Sequence, residues 1–197
     1  LTPLLEKDAD VSVRAMAAFA LGEIESETAA NALIAVLKNT STPAEVRARA
    51  VEALGKIAAA LPREQQARQQ ELGAAILDAL KSTDQSTILF GLTAALRARP
   101  ANAGPVIAKF LTHANPRVRV DASNALARLR LKDGNDQLRK LIAADPEPLV
   151  RANAAHGEES DFHDDAPRKV RMTAATSART GRKNRCTAPK KSRSKAP

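Results

Sequence analysis

The amino-acid sequence predicts an all-α fold, a right-handed α-solenoid (superhelix) of about five helix-turn-helix units. Two observations carry this prediction: a motif that returns every 30 to 40 residues or so, and apolar residues at helical spacing within each copy. No segment shows the sustained alternation of apolar and polar residues that is typical of strands. With 197 residues, the chain has room for one such domain and a tail.

The repeated motif begins with an apolar residue and Arg, continues through several Ala residues and, in its first two copies, ends in Leu-Gly. Its third copy keeps the apolar spacing but has Leu89 in place of the Arg, and its fifth copy stops after Ala155. We call the helix that contains the motif the B helix of each unit. The five predicted B helices start near Val13, Val46, Ile88, Val118 and Val150.

A second helical pattern, the A helix, lies between consecutive copies. These patterns cover roughly residues 28–39, 64–81, 103–113 and 135–144. Turns rich in Asp, Asn, Ser and Pro precede the B helices, and such residues cap helix N-termini. One helix pair of this size cannot bury its apolar face alone, so stacked pairs are expected to share a continuous core over residues 1–155.

The residues from Asp10 to Ile24 read Asp-x-x-Val-Arg-x-x-Ala-x-x-Ala-Leu-Gly-x-Ile. This pattern resembles bacterial HEAT and HEAT-like repeats, and it is also similar to the repeats of phycobilisome lyase subunits. The resemblance covers about residues 1–155. It implies a polar ladder between units, built from the Asp before each B helix and the Arg after its first Val.

The implied ladder residues are Asp10, Arg14, Arg47, Arg119 and Arg151, with Glu45, Asn115 and Glu147 in the neighbourhood of the Asp. Because Leu89 replaces the Arg in the third unit, the ladder is expected to be interrupted there.

The net charge of +9 is unevenly distributed. Residues 1–155 hold 20 Lys and Arg against 17 Asp and Glu, whereas residues 156–167 are acidic and residues 168–197 hold eleven bases and no acid. The apolar stripe of the fifth B helix ends at Ala155. We therefore expect residues 156–197 to form a disordered tail that begins acidic and ends basic.

Three explanations of this tail stay open: a basic arm for nucleic acid or an acidic partner, a solubilising terminus, or a segment outside the natural reading frame. The last is favoured because the repeat pattern stops in mid-helix. The chain also starts at Leu1 within a helical pattern. We therefore expect it to be a fragment of a longer protein.

We expect no catalytic, cofactor or metal site. No nucleotide-binding glycine motif or hydrolase Ser motif occurs. Gly22 and Gly55 occupy matching repeat positions, which indicates close helix packing, and His113 is best explained as a helix C-terminal cap. Cys186 has no base or oxyanion site beside it. One group has metal-binding residue types, but its spacing matches no closed zinc site and favours a solvated linker: His156, Asp161, His163, Asp164 and Asp165.

The repeats also carry many arginines that could line a surface and hold phosphates. The 17 acids of the same region instead favour ion pairs between repeats and solvated faces. No Trp or Tyr and only four Phe are present, which excludes an aromatic platform for base stacking. These arginines include Arg14, Arg47, Arg49, Arg97, Arg99, Arg117, Arg119, Arg128, Arg130 and Arg151.

The function predicted from these observations is a non-catalytic scaffold for protein–protein interaction, a HEAT-repeat docking region of a larger multidomain protein. The first alternative is non-specific nucleic-acid binding through the basic tail, and the second is a phycobilin lyase-like subunit. The expected partners are proteins, with nucleic acid only through the tail and no membrane. The cytoplasm is the favoured compartment.

Overall fold

The computed structural model describes the backbone of residues 1–165 and the side chains of residues 1–156. The described backbone is a succession of helices. Within residues 1–165 there are ten α-helices and no strand. Short 3₁₀ turns, Glu27–Ala29 and Lys109–Thr112, flank two of them. The helices are α1 (Thr2–Lys7), α2 (Val11–Glu23), α3 (Ala30–Lys38), α4 (Ala44–Ala60), α5 (Gln66–Ala79), α6 (Gln85–Ala98), α7 (Ala103–Ala108), α8 (Pro116–Leu129), α9 (Asn135–Ala144) and α10 (Pro148–Asp165).

The helices alternate between two layers within the compact unit Leu1–Asp161. The even-numbered helices are the predicted B helices, and α2 packs against α4, α4 against α6 and α6 against α8. The odd-numbered helices are the A helices, and α1, α3, α5 and α7 each pack against the B helix of their own unit. The all-α solenoid of helix pairs predicted from the repeats is confirmed.

Side-chain caps start three of the B helices. The carboxylate of Asp10 accepts a hydrogen bond from the Ser12 amide at 2.7 Å, and Asp84 accepts one from the Thr87 amide at 2.7 Å. Asn115 accepts one from the Arg117 amide at 2.8 Å. Each bond satisfies an amide that has no partner within its own helix, which explains why the chain turns from loop to helix at these residues.

The caps also correct the register of the third copy by one residue. Val13, Val46 and Val118 each stand third in their helix, and in α6 the third residue is Thr87, not Ile88. Thr87 is buried like Val46 and Val118, whereas Val13 in the first unit is exposed. The ladder position of the third unit is therefore held by Ile88 rather than Leu89.

The core is one continuous cluster of small and aliphatic side chains that runs from Leu5 to Ala154. Glycines let neighbouring B helices approach closely. A Cβ atom at Gly22 would lie 2.7 Å from the Ala53 Cα, and one at Gly55 would lie 2.6 Å from the Ala94 Cα. Both distances are far below van der Waals contact, so the packing of α2 on α4 and of α4 on α6 requires glycine at these two positions.

The last helix runs to Asp165, beyond the residue at which the apolar stripe of the fifth copy ends. The boundary at 155/156 stays a prediction from the sequence. Residues 166–197, which hold the whole of the basic segment, and the side chains of the acidic segment from 157 on lie outside the described part. The expected disorder, the basic arm, the reading-frame hypothesis and Cys186 therefore all concern residues outside it.

Candidate functional site

The arginines of the predicted ladder bind main-chain carbonyls that precede their own B helix. Arg14 Nε donates to the Leu5 carbonyl at 3.1 Å, and Arg47 Nη1 lies 3.4 Å from the Thr40 carbonyl. Arg151 Nη1 donates to the Asp145 carbonyl at 2.8 Å. These bonds tie each of these B helices to its own A helix or to the loop that follows it.

Arg119 makes the strongest of these contacts. Its Nη1 donates to the carbonyls of His113 and Ala114 at 2.9 and 3.0 Å. Its Nε and Nη2 donate to the two carboxylate oxygens of Asp145 at 2.8 and 2.9 Å. Asp145 is buried, and the Arg119 hydrogen bonds, with a further one from the Glu147 amide, hold the pKa of its carboxyl below the ordinary value.

The acidic ladder residues do not pair with the arginines as the resemblance implies. Asp10 and Asn115 serve as helix caps, and Arg14 bonds a carbonyl instead of Asp10. Asp145 pairs with Arg119 of the preceding unit and also lies near Arg151 of its own unit. The charge of Arg47 acts on Asp84 of the next unit. Burial alone would raise the pKa of the Asp84 carboxyl. Hydrogen bonds from Ser86 and Thr87, with the charge of Arg47, outweigh burial and lower this pKa.

A second set of residues forms a continuous surface that the sequence reasoning did not single out. In each of the first four B helices, the second, sixth, ninth and thirteenth residues lie on one helix face, and none of them is buried. We call this surface the B-helix face. It consists of Ser12, Met16, Phe19 and Glu23 on α2; Glu45, Arg49, Glu52 and Lys56 on α4; Ser86, Phe90, Thr93 and Arg97 on α6; and Arg117, Asp121, Asn124 and Arg128 on α8.

At the middle of this face, Arg49 lies between two phenylalanine rings from the neighbouring helices. Its guanidinium carbon is 5.4 Å from the centre of the Phe19 ring and 5.1 Å from that of Phe90. Lys56 Nζ is 4.6 Å from the Phe19 ring centre. Such cation–π contacts connect α2, α4 and α6 across the surface and are worth roughly 0.5–1 kcal/mol each at exposed sites.

Acidic side chains complete this cluster. Glu52 accepts hydrogen bonds from Arg49 and Lys56, each at 2.9 Å, and Lys56 also pairs with Glu23 on the neighbouring helix. Burial opposes the charged forms, but these contacts prevail: the pKa of Glu52 is lowered and the pKa of Lys56 is raised. Both side chains are therefore charged at neutral pH and hold one another in position.

A pocket of about 330 Å³ opens on the B-helix face between α6 and α8. Leu89 and Phe90 give it an apolar wall, and Ser86 and Thr93 contribute hydroxyls. The opposite wall is the ion pair of Arg117 Nε with Asp121 Oδ2, at 3.1 Å. An apolar wall with a polar rim suits an inserted side chain of another molecule.

The remaining sequence candidates carry no site in the described residues. His113 stands at the end of its helical turn, and its Nδ1 accepts a hydrogen bond from the Asn115 amide at 3.1 Å. His156 is exposed. Over the described part of the chain, no three His, Cys, Asp or Glu residues gather as metal ligands would. Nor is any described helix both long and apolar enough to span a membrane.

The sequence signal that could have found the B-helix face is present in the repeat alignment. Phe19 and Phe90 interrupt polar positions of the motif, and Glu52 and Lys56 are spaced i, i+4 on one helix. This face becomes visible in the sequence when the polar positions of the copies are aligned as well as the apolar ones.

Comparisons with known proteins agree with this architecture. Residues 1–97 match the sequence profile of the family described as HEAT repeats. No curated protein sequence matches the chain. An engineered protein of known structure is 25% identical, with a TM-score of 0.61, and the match covers 81% of this chain and 77% of that one.

Two designed proteins have a similar fold. A designed armadillo repeat protein in complex with a (KR)4 peptide is 23% identical, with a TM-score of 0.61 and coverage of 82% of this chain and 81% of that one. A computationally designed armadillo repeat protein for modular peptide recognition is 23% identical, with a TM-score of 0.57 and coverage of 81% of each chain. The family match over residues 1–97 and the two-layer helix stack of the described residues agree on the fold, an α-solenoid of HEAT-like helix pairs.

Proposed function

We propose that this protein is a non-catalytic scaffold that binds a segment of a partner protein across its B-helix face. The observation that carries the proposal is the interlocked cluster around Arg49, in which side chains from α2, α4 and α6 hold one another in place. A surface that is ordered before binding loses less side-chain entropy when a partner arrives. The face is therefore suited to recognition.

The regular spacing of the B helices favours a partner that binds as an extended segment over one that presents a flat surface. Neighbouring packed helices lie about 8–10 Å apart, so a chain that crosses them meets a new helix about every three residues. The pocket between α6 and α8 then offers a place for one side chain of that segment. Arrays of stacked helix pairs bind by contacts distributed in this way along one face.

Two of the similar structures support the proposal at the level of the fold. One of the designed armadillo repeat proteins is in complex with a (KR)4 peptide, and the other was designed for modular peptide recognition. A two-layer array of helix pairs can therefore present a peptide-binding surface. Their identity to this chain is 23%, so their contacts are not carried over to its residues.

The buried polar groups of the described residues favour a non-catalytic role. Asp145 is held by Arg119, the Thr87 hydroxyl donates to Asp84, and the Ser123 hydroxyl donates to the Arg119 carbonyl. Each of these groups supports the fold, and none forms a nucleophile–base pair that faces a pocket. A docking region for a larger multidomain protein remains our finer proposal. Nucleic-acid binding by the tail depends on residues outside the described part, and no described residue favours the lyase alternative.

A peptide selection tests the proposed function. A displayed library of random 12-residue peptides is selected against the chain, and enriched peptides are measured by fluorescence anisotropy. We expect enriched peptides to bind the wild-type chain and to lose at least about tenfold in affinity for Phe90→Asp, which places an unpaired charge at the apolar wall of the pocket.

The matched control is Lys109→Glu, an exposed charge change outside the B-helix face, in the turn after the A helix α7. This variant should bind like the wild type, and circular dichroism checks that both variants keep their helices. Enriched peptides that bind Phe90→Asp as well as the wild type, or a selection that enriches none, would contradict the proposal.

A further inference from the structure

We infer that the bound segment is acidic: it carries two carboxylates about three residues apart, which pair with Arg97 and Arg128. This inference rests on the proposed function and names the partner's chemistry. It follows from a comparison of equivalent positions on successive B helices.

The thirteenth residues of α2 and α4 lie side by side. On α2 and α4 these residues are Glu23 and Lys56, and their side chains form an ion pair across the two helices. Arg97 and Arg128 hold the same position on α6 and α8. The order along this row is therefore acid, base, base, base.

The acids that neutralise Lys56 are missing around the two arginines. Lys56 pairs with Glu52 four residues earlier on its own helix, and with Glu23 on the neighbouring helix. At the position of Glu52, α6 has Thr93 and α8 has Asn124. Among the described residues, no ion pair is formed by either guanidinium, and both side chains are exposed.

Arg97 and Arg128, which form no ion pair within the described residues, stand on two packed helices and create a local positive potential on an otherwise balanced face. The acids nearby are already engaged, because Glu52 pairs with Arg49 and Lys56, and Asp121 pairs with Arg117. An anionic group on a partner therefore gains attraction from both arginines without displacing an existing pair.

The pocket lies on the same two helices as the arginines. Its apolar wall belongs to α6, and its ion-pair wall to α8. Because packed helices are about 8–10 Å apart and an extended chain rises about 3.3 Å per residue, carboxylates about three residues apart match the spacing of Arg97 and Arg128. The pocket is lined by residues one to three helical turns before the arginines, so it is a separate contact for the partner.

The alternation of charges on this face favours a peptide over a nucleic acid. A phosphate backbone carries a charge on every nucleotide and would meet Glu45, Glu52 and Asp121 as well as the arginines. An acidic peptide carries its charges at chosen positions and can leave neutral residues opposite those acids.

Three synthetic peptides test the inference. They share a fluorescent label, flanking Gly-Ser residues and a central Thr-Leu, and they differ only in the two residues beside it: Glu-Thr-Leu-Glu, Gln-Thr-Leu-Gln and Lys-Thr-Leu-Lys. A 20-nucleotide oligothymidine is the fourth probe. Binding is measured by anisotropy and by ¹H–¹⁵N chemical shifts, including the arginine Nε resonances, at low and at high salt.

The test variants are Arg97→Glu, Arg128→Glu and their combination, with Lys109→Glu as the control of equal charge change. We expect the acidic peptide to bind the wild type most tightly and the basic one least. Each reversal should weaken the acidic peptide about threefold or more, and the double variant about tenfold, as expected for exposed ion pairs. The double variant should also prefer the basic peptide, which loss of folding cannot produce.

The other outcomes separate this inference from the proposed function. If the three peptides bind equally and Phe90→Asp abolishes binding, the charge inference is wrong and the scaffold function stands. If only the oligonucleotide binds and Arg97→Glu/Arg128→Glu abolishes it, both are wrong. If no probe binds, the inference is overturned, whereas the library selection decides the proposed function independently.

Discussion

The guanidinium of Arg119 and the carboxylate of Asp145 face each other edge to edge, joined by hydrogen bonds of 2.8 and 2.9 Å. Arg119 belongs to the B helix of the fourth unit, and Asp145 to the loop that leads into the fifth. Their side chains are only 11% and 4% exposed. This pair therefore links two units with little competition from water.

Asp145→Asn is expected to destabilise the protein by about 3 kcal/mol, because it leaves the buried Arg119 cation without its carboxylate. The loss should be concentrated in the fifth unit, since stability in stacked repeats depends on contacts between neighbours. Urea denaturation and hydrogen exchange measure both effects.

Asp136→Asn is the control for this variant, because that carboxylate is 92% exposed and pairs only with a residue on its own helix. Its effect should be within about 0.5 kcal/mol. Equal effects of the two variants would show that the Arg119–Asp145 pair has no special role.

The same pair predicts a pH dependence. The pKa of Asp145 is lowered from its ordinary value of 3.8, so its contribution to stability is present above that value. The contribution is lost as the pH falls through the folded-state pKa, because the folded protein must then bind a proton that breaks the pair. The difference in unfolding free energy between wild type and Asp145→Asn should therefore be constant from neutral pH to about pH 5 and shrink below about pH 4.

Contributions of Asp84 and Glu52, whose pKa values are also lowered, are common to both proteins and cancel in this difference. A difference that stays constant to the lowest pH at which the chain folds would exclude Asp145 as the titrating group.

Gly55→Ala is expected to destabilise the protein, by up to about 2 kcal/mol. In an open helix this change would stabilise by about 1 kcal/mol, but here the new Cβ would lie 2.6 Å from the Ala94 Cα, and overpacking typically costs about 1–3 kcal/mol. Thermal and urea denaturation give the sign. Ala59→Gly, at an exposed position of the same helix, reports the helix propensity alone. A stabilised Gly55→Ala would mean that α4 and α6 are not in close contact.

A double-mutant cycle tests the cluster on the B-helix face. Arg49→Gln and Phe90→Leu each remove one side of a cation–π contact, and the coupling between them should be about 0.5–1 kcal/mol. The same cycle with Phe110, whose ring faces His113 rather than Arg49, should give no coupling. A zero coupling for Arg49 and Phe90 would remove the evidence that the face is ordered before binding.

Much of the fold follows from local sequence patterns, and the exception has a clear cause. Asp10 and Asn115 mark the starts of their helices because a cap bonds an amide only two residues away. The sequence pattern allows two registers for the third copy, one residue apart, because Ile88, Leu89 and Phe90 are all apolar and fit the stripe in either register. Only the cap at Asp84 distinguishes the two registers.

The contacts of the site were less predictable than the helices. Arg14, Arg47, Arg119 and Arg151 stand where the repeat pattern places them, but their acceptors are mostly carbonyls of loops, whose positions depend on the packed structure. A sequence shows which residues carry charge. It does not show which carbonyl or carboxylate the fold brings within 3 Å of them.

The most direct test of the central claim, that the B-helix face binds a partner segment, is a chemical-shift map of the ¹⁵N-labelled chain with the tightest peptide from the library selection. The largest changes should fall on α4, α6 and α8 at the exposed positions of that face, around Arg49, Phe90 and Arg97. The A helices α3, α5 and α9 should be unchanged. Changes confined to the A helices, or to residues after 165, would contradict the account and assign binding to another part of the chain.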